Sequence, residues 1–182
     1  MMENLNLQKM QEMINKNYPG MMMFVRDVDL PQKLIERYKP GTIIQERGFV
    51  DATARVGGMV TNCRYCILSN HMANLGLFER DTNWQLHVAQ HHSHFKVLGV
   101  HTYQDKTAIF LLHLPNDDTW KLYKTVEINL DQQLLEDCIR RFEYKCIQKP
   151  IPEVTDRKWL DRCVFPVGMG DSGEFWPIED IE

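Results

Sequence analysis

Four histidines, His87, His91, His92 and His94, fall in one short run that could bind metal. On a helix, His87 and His91 would share a face at i and i+4, a spacing that suits zinc. The run leads straight into an apolar stretch at residues 95–100, however, and in a strand it is His92 and His94 that point the same way. Two imidazoles leave zinc short of ligands, so the expected reading is a polar loop and strand entry with no metal. A metal-dependent hydrolase built on these histidines is one alternative. Cys63-x-x-Cys66 lacks the second pair that a zinc site needs, and it does not open a helix as a redox motif does. An odd separation within one strand puts the two thiols on opposite faces. With Cys138, Cys146 and Cys163 they read as reduced structural thiols. Gly168-x-Gly170-x-x-Gly173 matches a dinucleotide fingerprint as a string, but no helical pattern follows to receive a pyrophosphate. A turn is expected there. No serine stands in a Gly-x-Ser-x-Gly elbow.

The chain has the length of a single domain, 182 residues, taken here as 1–182. At 43% hydrophobic and 25% charged residues it can build a core without disulfides or metal. A net charge of -4 with no Lys/Arg run argues against a nucleic-acid partner. No apolar run approaches the ~20 residues of a membrane helix. With no basic-then-apolar leader at the N-terminus, a cytoplasmic protein is expected.

Helical spacing of Met10, Met13 and Ile14 predicts a helix over residues 5–17, stopped by Pro19-Gly20. Residues 21–25 read as a buried strand. Asp29 is the expected cap of a second helix carrying Leu34, Ile35 and Tyr38. Apolar runs at 65–69, 95–100 and 107–114 predict strands, the last two joined by a hairpin through Gln104-Asp105. A stripe through Leu134, Leu135, Cys138, Ile139, Phe142 and Cys146 predicts a long helix over 131–147. The tail reads as a short β-ribbon. The order predicts an α+β fold: N-terminal helices, a central mostly antiparallel sheet, one long helix and a C-terminal ribbon.

One stretch resembles a known family. Phe24-Val25-Arg26-Asp27, Lys39-Pro40-Gly41-Thr42 and Gly48-Phe49-Val50-Asp51-Ala52-Thr53 are similar to the first half of mono-ADP-ribosyltransferases of the Arg/Ser-Thr-Ser/Glu type. Residues 94–100 with the strand after them look like that family's closing hairpin. The resemblance covers 22–114 and implies a split sheet, with 115–182 as a helix and ribbon extension. It implies NAD as the ligand, with Arg26 on the phosphates and Asp51 and Thr53 lining the nicotinamide-ribose side. Several positions depart from the family. Asp27 replaces a glycine and would set a carboxylate beside an anionic ligand. The glutamate position falls in a window holding Gln85, Leu86 and His87, with no acid. Glu79 or Asp81 could replace it only through an unusual loop.

A neutral amide or imidazole is a poor stabiliser of developing positive charge. The expectation is therefore a diverged domain that at most binds NAD or an ADP-ribose-like nucleotide. Arg26, Asp51, Thr53, Gln85 and His87 are the candidate contacts. The rival reading is a non-enzymatic module that binds a protein partner, with the methionines and the tail aromatics Phe165, Phe175 and Trp176 as its face.

Overall fold

Pro19-Gly20 turns the chain, with Gly20 at φ 71°, and delivers it into strand β1, Met22–Val28, whose residues after Met22 are all buried. The computed structural model describes residues 19–124 and 129–179, so the helix expected over 5–17 lies outside the described residues. Next come a single helical turn, α1 (Gln32–Ile35), and the strands β2 (Ile43–Gln45), β3 (Val50–Thr53), β4 (Cys63–Ser69) and β5 (Ala73–Asn74). Strands β6 (Leu86–Ala89), β7 (His94–Tyr103) and β8 (Lys106–His113) complete the sheet. A 3-10 turn at Asp118–Lys124 follows, then helices α2 (Asn129–Cys146), α3 (Pro152–Thr155) and α4 (Arg157–Arg162).

The eight strands lie in the order β2-β7-β8-β4-β1-β3-β6-β5, and of these pairings only β4–β8 is parallel. This is the expected α+β class with a mostly antiparallel sheet. The sheet is divided in two at β1 and β3, which share the single partner pair Val25↔Thr53. The larger part is β2, β7, β8, β4 and β1, and the smaller part is β3, β6 and β5.

Three apolar layers follow from strand alternation. Phe24, Tyr65, Ile67, Phe95, Ile109 and Leu111 of the larger part meet Val50, Ala52 and Ala89 of the smaller part in a central layer. The opposite face of the larger part carries Val25, Cys66, Phe110 and Leu112 against Cys138, Phe142 and Cys146 of α2. The outer face of the smaller part carries Leu86 and Val88 against Val154, Trp159 and Cys163. Cys63 and Cys66 do take opposite faces, in the central layer and the α2 layer.

Two local expectations change. Asp29 does not cap α1; its carboxylate accepts the Asn62 N–H at 2.9 Å, and Pro31 precedes the helix without a side-chain cap. The C-terminal ribbon is reduced to one antiparallel bridge, Met169↔Phe175, with Gly168 and Gly173 at φ 80° and 85° forming the turn. A side chain at either glycine would press on Ile44 or Leu34 at under 3 Å, so the Gly168–Gly173 string serves close packing.

Candidate functional site

Alternation along β1 separates the two charges that stand side by side in the sequence. Arg26 faces the side of the central layer, whereas Asp27 faces α2 and is gripped by Arg64 through Nε–Oδ1 (2.6 Å) and a second bond at 2.8 Å. The expected carboxylate beside the arginine is therefore absent from its surroundings: strand geometry puts Asp27 on the other face.

Arg26 is 5% exposed and, among the described residues, has no carboxylate as a hydrogen-bond partner. Its guanidinium donates to the Asp51 carbonyl at 3.1 Å and the Phe165 carbonyl at 3.3 Å. Its Nε–H is buried and has no partner among the described residues, as is also true of Arg64 Nη1 on the other face. A guanidinium keeps its charge in any protein environment, so a donor left free beside a cleft can receive an anion or a strong acceptor. Arg26 lines a cleft of about 370 Å³ together with Glu46, Phe49, Arg162, Phe165 and Trp176.

A second cleft of about 500 Å³ shares Phe49 and Arg162 with the first and is otherwise largely apolar, with Leu75, Phe78, Leu86 and Val88. Arg162 holds the Asp51 carboxylate through Nε at 2.9 Å and reaches Glu79 at 3.8 Å. Sequence reasoning missed Arg162. It sits on α4, whose signal was Asp156: that side chain accepts the Trp159 N–H at 2.9 Å and starts the helix.

A third, polar cleft of about 350 Å³ is lined by Asn74, Glu79, Arg80, Asn83, Gln85 and His87. Gln85 (φ 48°) and Asn83 (φ 51°) both adopt left-handed backbone, which asparagine tolerates and glutamine seldom adopts. The Gln85 carbonyl contacts His87 Nδ1 at 2.9 Å, and the His87 ring lies 4.5 Å from Phe24. Successive turns over 75–82 carry Glu79 back to the cleft edge, where it touches both this cleft and the apolar one. It is the one carboxylate among the residues lining the polar cleft.

Arg26 bonds the Asp51 carbonyl, but Arg26 lines the first cleft, Asp51 the apolar one, and Gln85 with His87 the polar one. Thr53 lines none of the three. It is buried, donates to the Trp84 carbonyl at 2.6 Å and accepts the Arg55 N–H at 2.9 Å.

The histidine run disperses as strand and loop geometry demands. His91 meets Phe49 edge-on, and His94 stacks on Trp120 at 3.9 Å. No group of three metal-competent side chains converges among the described residues. Burial pushes the Cys63 thiol up to about 12 and those of Cys138 and Cys163 up to about 11, so they are protonated, poor nucleophiles at neutral pH. For Cys163 the nearby Arg26 charge pulls in the opposite direction and is outweighed.

No described helix is long and apolar enough to cross a membrane. No family model matches the sequence, and a comparison with curated proteins finds no match. Solved structures do show a likeness, to ADP-ribosyltransferases and bacterial effectors. The type III effector XopAI of Xanthomonas axonopodis pv. citri is similar over 52% of this chain and 41% of its own, at 19% identity and a TM-score of 0.45. Exoenzyme S of Pseudomonas aeruginosa, solved with human 14-3-3 protein beta and Carba-NAD, is similar over 63% of this chain and 56% of its own, at 9% identity and a TM-score of 0.46. The ADP-ribosyltransferase HopU1 of Pseudomonas syringae pv. Tomato is similar over 52% and 45%, at 15% identity and a TM-score of 0.43. The chain spans about half the length of these proteins.

Proposed function

We propose that the chain is a diverged ADP-ribosyltransferase-like domain that binds NAD or an ADP-ribose-like nucleotide and has lost transferase chemistry. The observation that carries this reading is Arg26: a buried guanidinium that has, among the described residues, no carboxylate partner and no partner for its Nε–H, lining a cleft beside a second arginine, Arg162. The Arg26 guanidinium suits the fork geometry of phosphate oxygens, while the Arg162 fork beside it is held by Asp51 and Glu79. Phe49, shared by the two larger clefts, offers an aromatic face for a base or ring. These residues fit the phosphate-bearing part of such a ligand.

Asp51 lies on the ribose side with its carboxylate held by Arg162, and Thr53 supports that side by fixing Trp84 and Arg55. Gln85 and His87 would take the place of the catalytic carboxylate that the family resemblance implies. Neutral groups position a ribose by hydrogen bonding but do not supply the negative charge that favours an oxocarbenium-like transition state. Glu79 is the acid nearest to restoring it, and its ion pair with Arg162 offsets its charge.

Thermal unfolding with millimolar NAD or ADP-ribose tests the binding. A ligand at ~100 times its Kd raises Tm by roughly 5–10 °C for a chain of this size. Arg26→Ala should melt as a folded protein and lose the shift; an unchanged shift in that variant would refute the assignment. Incubation with radiolabelled NAD should transfer no label to protein.

A second reading has one observation behind it. Phe49, Phe78 and Phe165 are 65%, 82% and 63% exposed around these clefts, a patch suited to a protein partner. Of the tail aromatics expected to serve that role, Phe165 is exposed while Phe175 and Trp176 are half-buried. No Tm shift with either nucleotide would favour this reading.

A further inference from the structure

Strand alternation lays an apolar floor under the cleft of about 500 Å³. Leu86 and Val88 of β6 belong to the outer face of the smaller part of the sheet. Ala73 of β5 pairs with Val88, and the Leu75 N–H donates to the Leu86 carbonyl at 2.9 Å, so two short strands bring four aliphatic side chains together. Leu86 and Val88 are buried, whereas Phe49 and Phe78, which line the same cleft, are exposed. From Leu86 to Gln90, both in the lining, the backbone runs roughly 13 Å at ~3.3 Å per residue. That is longer than one aromatic ring and suits an extended chain.

The charged groups of this cleft are tied to one another. Asp51 pairs with Val88 across β3 and β6, and Arg162 holds both its carboxylate and that of Glu79. The Arg26 cleft adjoins: Phe49 and Arg162 line both clefts, and Arg26 reaches the Asp51 carbonyl at 3.1 Å. Two carboxylates also line the Arg26 cleft. That of Glu46 accepts the Gly48 and Gly168 N–H groups at 2.9 and 2.7 Å, and Asp171 is exposed. Arg26 thus brings to the joined clefts a buried charge that has no carboxylate partner among the described residues.

We propose that the two clefts together bind a single-chain amphiphile, its anionic head at Arg26 and its alkyl chain on the floor made by Leu75, Leu86 and Val88. An extended chain covers that floor and removes apolar surface from water in proportion to its length. The carboxylates of Asp51 and Glu79 repel an anionic head from the apolar cleft and leave Arg26 as its partner. The inference shares with the nucleotide reading only the anion at Arg26 and needs no nucleotide.

Calorimetric titration of the full chain with hexyl, octyl and decyl phosphate, each below its micelle-forming concentration, tests it. Affinity should rise about tenfold for each two methylenes added. Octanol, which lacks the charge, should bind about tenfold more weakly than octyl phosphate. Arg26→Ala should erase that difference and keep the dependence on chain length. Phe78→Ser, at a side chain 82% exposed, leaves the core intact and should weaken octyl phosphate about fivefold. Equal affinity along the series, or binding seen only once micelles form, would overturn the proposal. So would an unchanged gap between octyl phosphate and octanol in Arg26→Ala. Octyl phosphate that binds where NAD and ADP-ribose give no Tm shift would remove the nucleotide reading and leave this one standing. A nucleotide shift beside a flat chain-length series would do the reverse.

Discussion

Arg64 and Arg26 are neighbours on adjacent strands, both buried, and their surroundings differ in one respect. On the α2 face, Arg64 lies opposite Asp27 in the β1–β4 register and forks onto its carboxylate, both side chains being buried. On the other face, Arg26 lies opposite Tyr65, holds two backbone carbonyls, and opens on a cleft walled by a loop. A buried guanidinium that finds a carboxylate within its own chain is structural. One that finds only carbonyl oxygens retains the capacity to receive an anion from outside. The contrast lies in what covers each face: a helix that supplies a complete layer, or a turn-rich segment that leaves space.

The largest expected effect is on the closed face. Arg64→Ala or Asp27→Ala alone leaves an uncompensated buried charge, which costs about 3–5 kcal/mol and lowers Tm by roughly 10 °C. Replacing both together, as Asp27→Leu with Arg64→Met, should recover most of that loss. Denaturant melts of the three variants decide the matter. Single variants within 1 kcal/mol of the parent, an approximate limit for an exposed pair, would dissolve the distinction between the two faces.

An intermediate effect comes from His113, another enclosed polar group in the larger part of the sheet. Its ring is stacked between His71 (3.9 Å) and Phe95 (5.0 Å), with Ser69 and Ser93 on its two nitrogens at 2.8 and 3.2 Å. Burial first, then the neighbouring His71 and His94, holds its pKa well below the ordinary 6.5. Below that value the unfolded chain takes up a proton that the folded chain refuses, so stability falls as pH drops and is unaffected above it. The expected loss of stability sets in over the interval below about pH 6.5. In His113→Phe the slope over that interval should shrink by about one proton; an unchanged slope would show that His113 titrates equally in both states.

The sequence was most legible where one physical signal dominated. The α2 stripe, the 103–106 hairpin and the opposed cysteines all follow from period 3.6 or period 2 and were readable without tertiary information. Strands β3 and β6 were not, because Val50–Thr53 and Leu86–Ala89 are too short, and Asp51 and His87 interrupt their apolar pattern. Arg26 stands out in the sequence only through its family-like context, and its separation from Asp27 follows once β1 is accepted as a strand. Arg162, 136 residues away in sequence from Arg26, could not be placed without the fold, and neither could Glu79, which reaches the clefts only through the turns after β5. Long-range charge pairing leaves no periodic trace in a sequence. A local cap such as Asp156 marks only where a helix starts, not what it will meet.

The smallest expected effect, and the sharpest test of the comparison, is at Arg162. Its side chain is 36% exposed and its two ion pairs are with partly exposed carboxylates, so water compensates much of what it loses on removal. Arg162→Ala should cost less than about 1 kcal/mol and shift Tm by no more than about 3 °C. Added salt should shrink that small difference further, whereas the Arg64 variants should be indifferent to salt because their pair is dry. The same substitution frees Asp51 and Glu79 beside the clefts and turns a neutralised rim acidic. Nucleotide affinity should therefore fall far more than stability does. A variant that loses both in parallel would place Arg162 with Arg64, as part of the frame, and leave Arg26 as the only arginine of the site.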